Sequence, residues 1–188
     1  FELGFKSNFV NAAAFIEKTE NFMLRDSEAF NVSDGKTKSR GLELEGFKSV
    51  GKHTWSASLS YAIHEYDFDR AATGRETIKA GNNIDTAPKW LGSMRWRTEF
   101  SEALAQELEL VFVGKHYVNA ANTAEYSGHE VLNWRGHWQL NEQTRLFARI
   151  INILDEDYAD RADYAFGDYR YFPAMPRQLY VGVNLAVD

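Results

Sequence analysis

Carboxylates and arginines set in alternating rows are the first residues that could do chemistry. Glu43 and Glu45, and again Glu107 and Glu109, stand two apart, and Arg95, Arg97, Arg135 and Arg149 recur in other segments. Two carboxylates at that spacing could serve as an acid and a base, yet nothing places a substrate between them. A polar wall exchanging ion pairs accounts for them better. His53, His64, His116, His129 and His137 are scattered, with no His-x-His or Glu-x-x-His spacing to bring imidazoles to one metal. No turn holds Ser56, Ser58 or Ser60 as a nucleophile elbow, and there is no glycine-rich phosphate loop. The reading is of a protein that is no enzyme, with no metal ligands and no cofactor.

One loop carries more weight. Tyr158 to Pro176 contains Tyr158, Tyr164, Phe166, Tyr169, Tyr171 and Phe172. Reversing an antiparallel chain takes about two to five residues, so a connection this long serves something else. Arg161, Tyr164, Tyr169, Arg170 and Tyr171 are the candidate ligand contacts, because rings stack on flat or chelated ligands and guanidinium groups pair with carboxylate or hydroxamate oxygens. Asp155, Glu156, Asp157, Asp160, Asp163 and Asp168 outnumber the arginines here. Local ion pairing, or rings packing the loop on itself, is the competing reading.

The elements that must position this loop are strands. In Arg177 to Val187, Leu179, Val181, Val183, Leu185 and Val187 share one face. Trp55, Ala57, Leu59, Tyr61 and Ile63 alternate with Ser56, Ser58, Ser60, Ala62 and His64, which is period two without a break. The same alternation sets Trp90, Met94, Trp96 and Phe100 against Arg95, Arg97 and Glu99. It sets Leu108, Leu110 and Phe112 against Glu107 and Glu109, and Leu132, Trp134 and Trp138 against Asn133, Arg135 and His137. Phe9 to Arg25 reads as a strand although Ala12, Ala13 and Ala14 interrupt its pattern. About nine strands result, many longer than the five or six residues usual in soluble sheets. Short turns at Ser7, Gly51, Glu102 and Glu142 alternate with loops at Asp26–Lys36, Phe68–Ala87, Val118–Gly128 and Tyr158–Pro176.

Composition bounds this reading. The 188 residues suffice for one domain, mean hydropathy is negative, and the longest apolar run, Ala12–Ile16, is five residues. A spanning helix needs about 18, whereas a spanning strand hides its apolar face in alternation. A net charge of -6 without a basic stripe argues against nucleic acid. Cysteine is absent, so neither a disulfide framework nor a thiolate site is available.

Phe147-Ala-Arg-Ile-Ile-Asn-Ile-Leu-Asp-Glu-Asp-Tyr-Ala159, followed by the aromatic loop and a final glycine-containing strand, resembles the carboxyl end of TonB-dependent outer-membrane receptors. Ser39-Arg-Gly-Leu-Glu-Leu-Glu45 is similar to their mid-barrel strands, and Gly81-Asn-Asn-Ile-Asp-Thr-Ala-Pro88 to the way their loops lead into strands. The resemblance implies an all-β fold, part of an antiparallel up-and-down transmembrane β-barrel in the outer membrane of a Gram-negative bacterium. Residues 1–188 would be its carboxyl-terminal segment, with a plug domain and roughly thirteen of about 22 strands upstream. By the same resemblance the receptor imports a ferric siderophore, haem or cobalamin. Its partners would be outer-membrane lipid, the plug, a TonB-type energy transducer and a metal-chelate ligand. Without the resemblance, a soluble β-sandwich binding carbohydrate or protein stays open, although the rhythm of short and long connections disfavours it.

Overall fold

The computed structural model of the protein describes residues 1–72 and 76–186. Gly74, inside the expected Phe68–Ala87 loop, and Val187, expected on the last apolar face, lie outside the described residues. Nine strands form one antiparallel sheet: β1 (Glu2–Lys6), β2 (Val10–Arg25), β3 (Asn31–Val50), β4 (His53–Tyr66), β7 (Trp90–Glu99), β8 (Leu104–Val113), β11 (His129–Asn141), β12 (Thr144–Ile151) and β15 (Gln178–Leu185). Spatial order follows chain order throughout, so the sheet is an up-and-down meander. Each of three long connections folds a small hairpin of its own: β5 (Arg70–Ala71) with β6 (Thr77–Ile78), β9 (His116–Tyr117) with β10 (Glu125–Tyr126), and β13 (Ala159–Ala165) with β14 (Asp168–Pro173).

Alternation becomes two unlike faces because directly paired residues of neighbouring strands lie on the same side. One row runs Trp55, Trp96, Leu108, Trp134, Ile150 and Leu179 across six strands. Trp55 and Trp96 stack at 5.2 Å, and Trp134 Nε1 donates to Gln106 Oε1 at 3.1 Å. This face is uncovered: Leu3 is 70% and Val181 75% exposed, and among the described residues no second sheet packs on it. The opposite row runs Arg97, Glu107, Arg135, Arg149 and Tyr180. Beside it Glu109 accepts from Arg95 Nε and from Arg135 Nη2, both at 2.6 Å, while Arg149 lies 4.4 Å over the Tyr180 ring. Of the carboxylates expected to form a polar wall, Glu107 and Glu109 exchange ion pairs with Arg135 and Arg95, while Glu45 accepts from Asn11 Nδ2 at 3.3 Å.

The rows also climb. A row beginning at Val10, the first residue of β2, passes Gly46, Ala57, Met94 and Leu110 to reach Leu132, nine residues short of the end of β11 at Asn141. Strands so staggered slant across the sheet and curl it, as wrapping around a barrel axis requires. The sheet stays open, with β1 paired only to β2 and β15 only to β12.

One expectation is corrected here. The polar loop expected over Asp26–Lys36 is mostly strand, because the β2–β3 ladder continues through Glu20↔Lys36, Phe22↔Gly35 and Leu24↔Val32 to Arg25↔Asn31. Phe22 and Leu24 gain a partly buried cluster with Tyr66, Phe68 and Ile78, which rewards the extension. Residues 26–30 then suffice as the turn, where Asp26 Oδ1 accepts from the Glu28 and Phe30 amides, each at 2.9 Å. The aromatic loop, for which packing on itself is one of two readings, folds largely into the β13–β14 hairpin. Phe166 and Gly167 form its two-residue turn with φ of 59° and 90°, the backbone hand that suits a tight hairpin.

Candidate functional site at the long-loop end

The last loop is rooted by Asn152. β12 stops at Ile151, because Asn152 turns the backbone at φ 54°, a conformation asparagine tolerates. Its side chain is fully buried: Nδ2 donates to Glu156 O at 2.9 Å and Oδ1 accepts from Glu156 N at 2.9 Å. Its own amide donates to Asn133 Oδ1 at 3.0 Å. Asp155 then clamps the returning chain by accepting from Arg177 N at 2.8 Å. These residues stand inside the Asn152-Ile-Leu-Asp155 stretch, yet their spacing alone gives no sign of the latch.

The three long loops are joined to one another. Asn83 N donates to Asn122 Oδ1 at 2.7 Å, and Asn122 Nδ2 returns to Asn83 O at 2.8 Å. Thr86 N donates to Tyr117 O at 2.8 Å. The β13–β14 hairpin is tied on through Tyr164 N to Val118 O at 3.0 Å and Ala159 N to Tyr126 Oη at 3.1 Å. Beneath these bonds Val118, Ala124, Tyr126, Ala159 and Ala162 make a small buried core.

The five candidate contacts fall on two faces of that hairpin. Tyr164 pairs with Tyr169 and Ala162 with Tyr171, so the three tyrosines share the side that meets the neighbouring loop. Tyr164 and Tyr169 meet edge to face at 5.2 Å, and Tyr169 stacks parallel to Tyr171 at 6.0 Å. Asp163 pairs with Arg170 and Arg161 with Phe172, so both arginines stand on the other side. There they converge on one carboxylate: Asp163 lies 2.5 Å from Arg170 Nε and 3.4 Å from Arg161 Nη2. Arg161 also covers the Phe172 ring at 5.4 Å. Each guanidinium is therefore partly committed inside the hairpin, with its remaining donors exposed.

The tyrosine side continues into residues that sequence reasoning did not join. Tyr126 lies 6.3 Å from Tyr171, 5.4 Å from His116 and 5.9 Å from His129, and its hydroxyl is 3.0 Å from His129 Nδ1. His129 in turn packs on Tyr158 at 4.4 Å. Burial, reinforced by the Asp160 carboxylate, pushes the Tyr158 phenol up, so it stays neutral. Two open clefts flank this cluster. One, of about 650 Å³, is lined by His116, Tyr126, His129, Asp160 and Arg161 with Thr86. The other, of about 910 Å³, is lined by Glu76, Asn82, Asn119, Asn122, Tyr164 and Phe166. Stacking rings, amides and one partly committed guanidinium suit noncovalent capture of a small ligand. Among the described residues no three His, Asp or Glu side chains gather as a metal site.

Residues 1–153 match the family model described as TonB dependent receptor-like, beta-barrel. No curated protein matches the sequence. Among solved structures, the siderophore receptor PiuA from Acinetobacter baumannii is similar at a TM-score of 0.79 and 21% identity, over 98% of this chain and 28% of that one. The ferric yersiniabactin uptake receptor FyuA from Yersinia pestis gives 0.82 and 19%, over 98% and 29%. The copper transporter OprC gives 0.71 and 16%, over 98% and 30%. At these identities the likeness establishes the fold alone, and the chain spans less than a third of each neighbour's length. With the family model covering most of its length, the open slanted sheet is part of a larger barrel wall, and the chain belongs to the TonB-dependent receptor-like β-barrel family.

Proposed function

We propose that this chain is the carboxyl-terminal part of an outer-membrane receptor that binds a scarce nutrient outside a Gram-negative cell and imports it with energy from the inner membrane. The observation that carries the reading is the division of one sheet into an uncovered apolar face and a charged face, with ordered loops gathered at one end. An apolar face this wide fits lipid, and the charged face fits a lumen filled by a plug domain. The short-turn end would then face the periplasm and a TonB-type transducer acting on the plug. A soluble sandwich would need a second layer over the apolar face.

The ligand we favour is a metal chelate of the siderophore class, taken up without any reaction at the barrel. Family membership and the structural neighbours, a siderophore receptor and a ferric yersiniabactin uptake receptor among them, support this class. A copper transporter of the same fold keeps the choice of metal open. Recognition would fall to the clefts around Tyr126, Tyr164 and Arg161, since loops vary while a rigid scaffold positions them. The test is uptake by cells carrying or lacking the complete receptor. Hydroxamate, catecholate and carboxylate chelates of labelled iron, haem, cobalamin and copper would be offered in turn. Loss of uptake of one class on deletion, and again on collapse of the inner-membrane proton gradient, is the expected result. Uptake of every class unchanged by deletion would overturn the reading.

A further inference from the structure

The run Ala12-Ala-Ala14 that interrupts the pattern of β2 has a place on the apolar face. Ala12 and Ala14 stand outward between Leu3 and Phe5 on β1 and Leu42 and Leu44 on β3. Two small residues among larger neighbours leave a furrow along β2. Its upper part, about 390 Å³, is lined by Leu3, Ala14, Ile16, Leu42 and Tyr61, and Arg40 closes it toward the long-loop end. Directly above, on the same face, come Lys18, Lys38 and Lys36.

Four cations on one rim of a chain of net charge -6 are a local excess. Their carboxylate partners are Glu65 at 3.0 Å from Arg40, Asp67 at 2.5 Å from Lys38 and Glu20 at 3.9 Å from Lys36. The Lys36 and Arg40 pairs are exposed and contribute little, and Lys38 stays 42% exposed beside a part-buried Asp67, which leaves the cations open to a competing anion. Lys18 has no carboxylate within ion-pair distance among the described residues. It lies directly opposite Lys38, a like-charge pairing that is unfavourable unless an anion sits between. At the same end of the face, β7 and β8 carry Trp90 and Phe112 instead.

An apolar furrow with cations at its upper end has the form of an amphiphile with an anionic head. We propose that the furrow over Ala12 and Ala14 seats an acyl chain of an anionic lipid, and that Lys18, Lys38 and Arg40 hold its phosphate headgroup. This rests on the membrane reading of the apolar face.

The test uses the complete receptor, folded in nonionic detergent and verified by heat-modifiable migration. Failure to form that heat-modifiable barrel would overturn the membrane reading itself. With the barrel intact, bound phosphatidic acid and diacylglycerol of equal chain length are counted by native mass spectrometry. Phosphatidic acid is expected to be retained in preference. Lys38→Gln with Arg40→Gln is expected to lower its retention by more than tenfold, at about fivefold per charge removed. Ala14→Leu, which fills the furrow with every charge in place, is expected to lower it as well. Lys52→Gln, in the turn at the opposite end, is expected to leave it unchanged. Retention unaffected by the double charge change or by Ala14→Leu would overturn the proposal. So would complete displacement by millimolar inorganic phosphate, which would show a phosphate site indifferent to the acyl chain.

Discussion

At the scale of single residues, Asn152 shows how one side chain can set up a site it does not line. Its amide group satisfies both the donor and the acceptor of Glu156 from a fully buried position, so truncation leaves backbone groups without partners. Asn152→Ala is expected to cost about 1 to 3 kcal/mol, with further strain from alanine at φ 54°. Faster hydrogen exchange at the Glu156 amide, with exchange in β11 and β12 unchanged, is the check. The candidate contacts separate by face. Tyr169 stacks on Tyr171 and stands 45% exposed at the rim of the ring cluster. Arg161 and Arg170 share Asp163. Tyr169→Ala in the complete receptor is therefore expected to weaken ligand binding by about two- to tenfold, the value of one aromatic contact. Arg170→Ala is expected to act less, because Arg161 keeps the carboxylate paired. Equal and unchanged affinities in correctly folded Tyr169→Ala, Arg161→Ala and Arg170→Ala barrels would make the hairpin a cover without ligand contact.

At the scale of elements, strand pairing depends on close approach as well as on alternation. Gly92 pairs with Phe112, whose ring lies across the glycine, and a Cβ there would also come within 2.8 Å of the Ser58 carbonyl. The carbonyl belongs to the β4 ladder and cannot step aside. Gly92→Ala is expected to lower barrel stability by about 1 to 3 kcal/mol, read as a lower denaturant midpoint in detergent. The two faces make a separate prediction. Met94 points out among apolar neighbours while Ser93 points toward the charged side. Met94→Arg is expected to cost about 2 to 4 kcal/mol in a bilayer, and Ser93→Arg little. Equal costs from the two substitutions would defeat the assignment of faces.

At the scale of the whole molecule, the two edges govern what these residues can do alone. β1 and β15 each leave one side without a neighbour in the sheet, and unpaired N–H and C=O groups cannot be left in hydrocarbon. In water the same edges and the open apolar face invite association. Residues 1–188 expressed alone are expected to give no discrete conductance in a planar bilayer and to sediment as a heterogeneous assembly in plain buffer. A monodisperse monomer that unfolds cooperatively without detergent would show the strands closing on themselves.

Which residues share a face is readable from the chain alone, because successive side chains on an extended backbone must alternate. Trp55 to Ile63, Trp90 to Phe100 and Leu179 to Leu185 fell on one side for that reason, and the count of nine strands followed from the turns between them. Family membership was also legible, since Phe147 to Ala159 kept the strand and the loop root together. The start of β3 at Asn31 is not readable in this way, because what favours extending it is a cluster with Tyr66 and Ile78 from elsewhere in the chain. Only the structure divided Arg161 and Arg170 from Tyr164, Tyr169 and Tyr171, since that division requires the loop to pair with itself about Phe166 and Gly167. Alternation is local geometry that each segment carries alone. Register, and the meeting of Tyr126 with a hairpin over 30 residues away, is settled by contacts between distant parts, which no single stretch encodes.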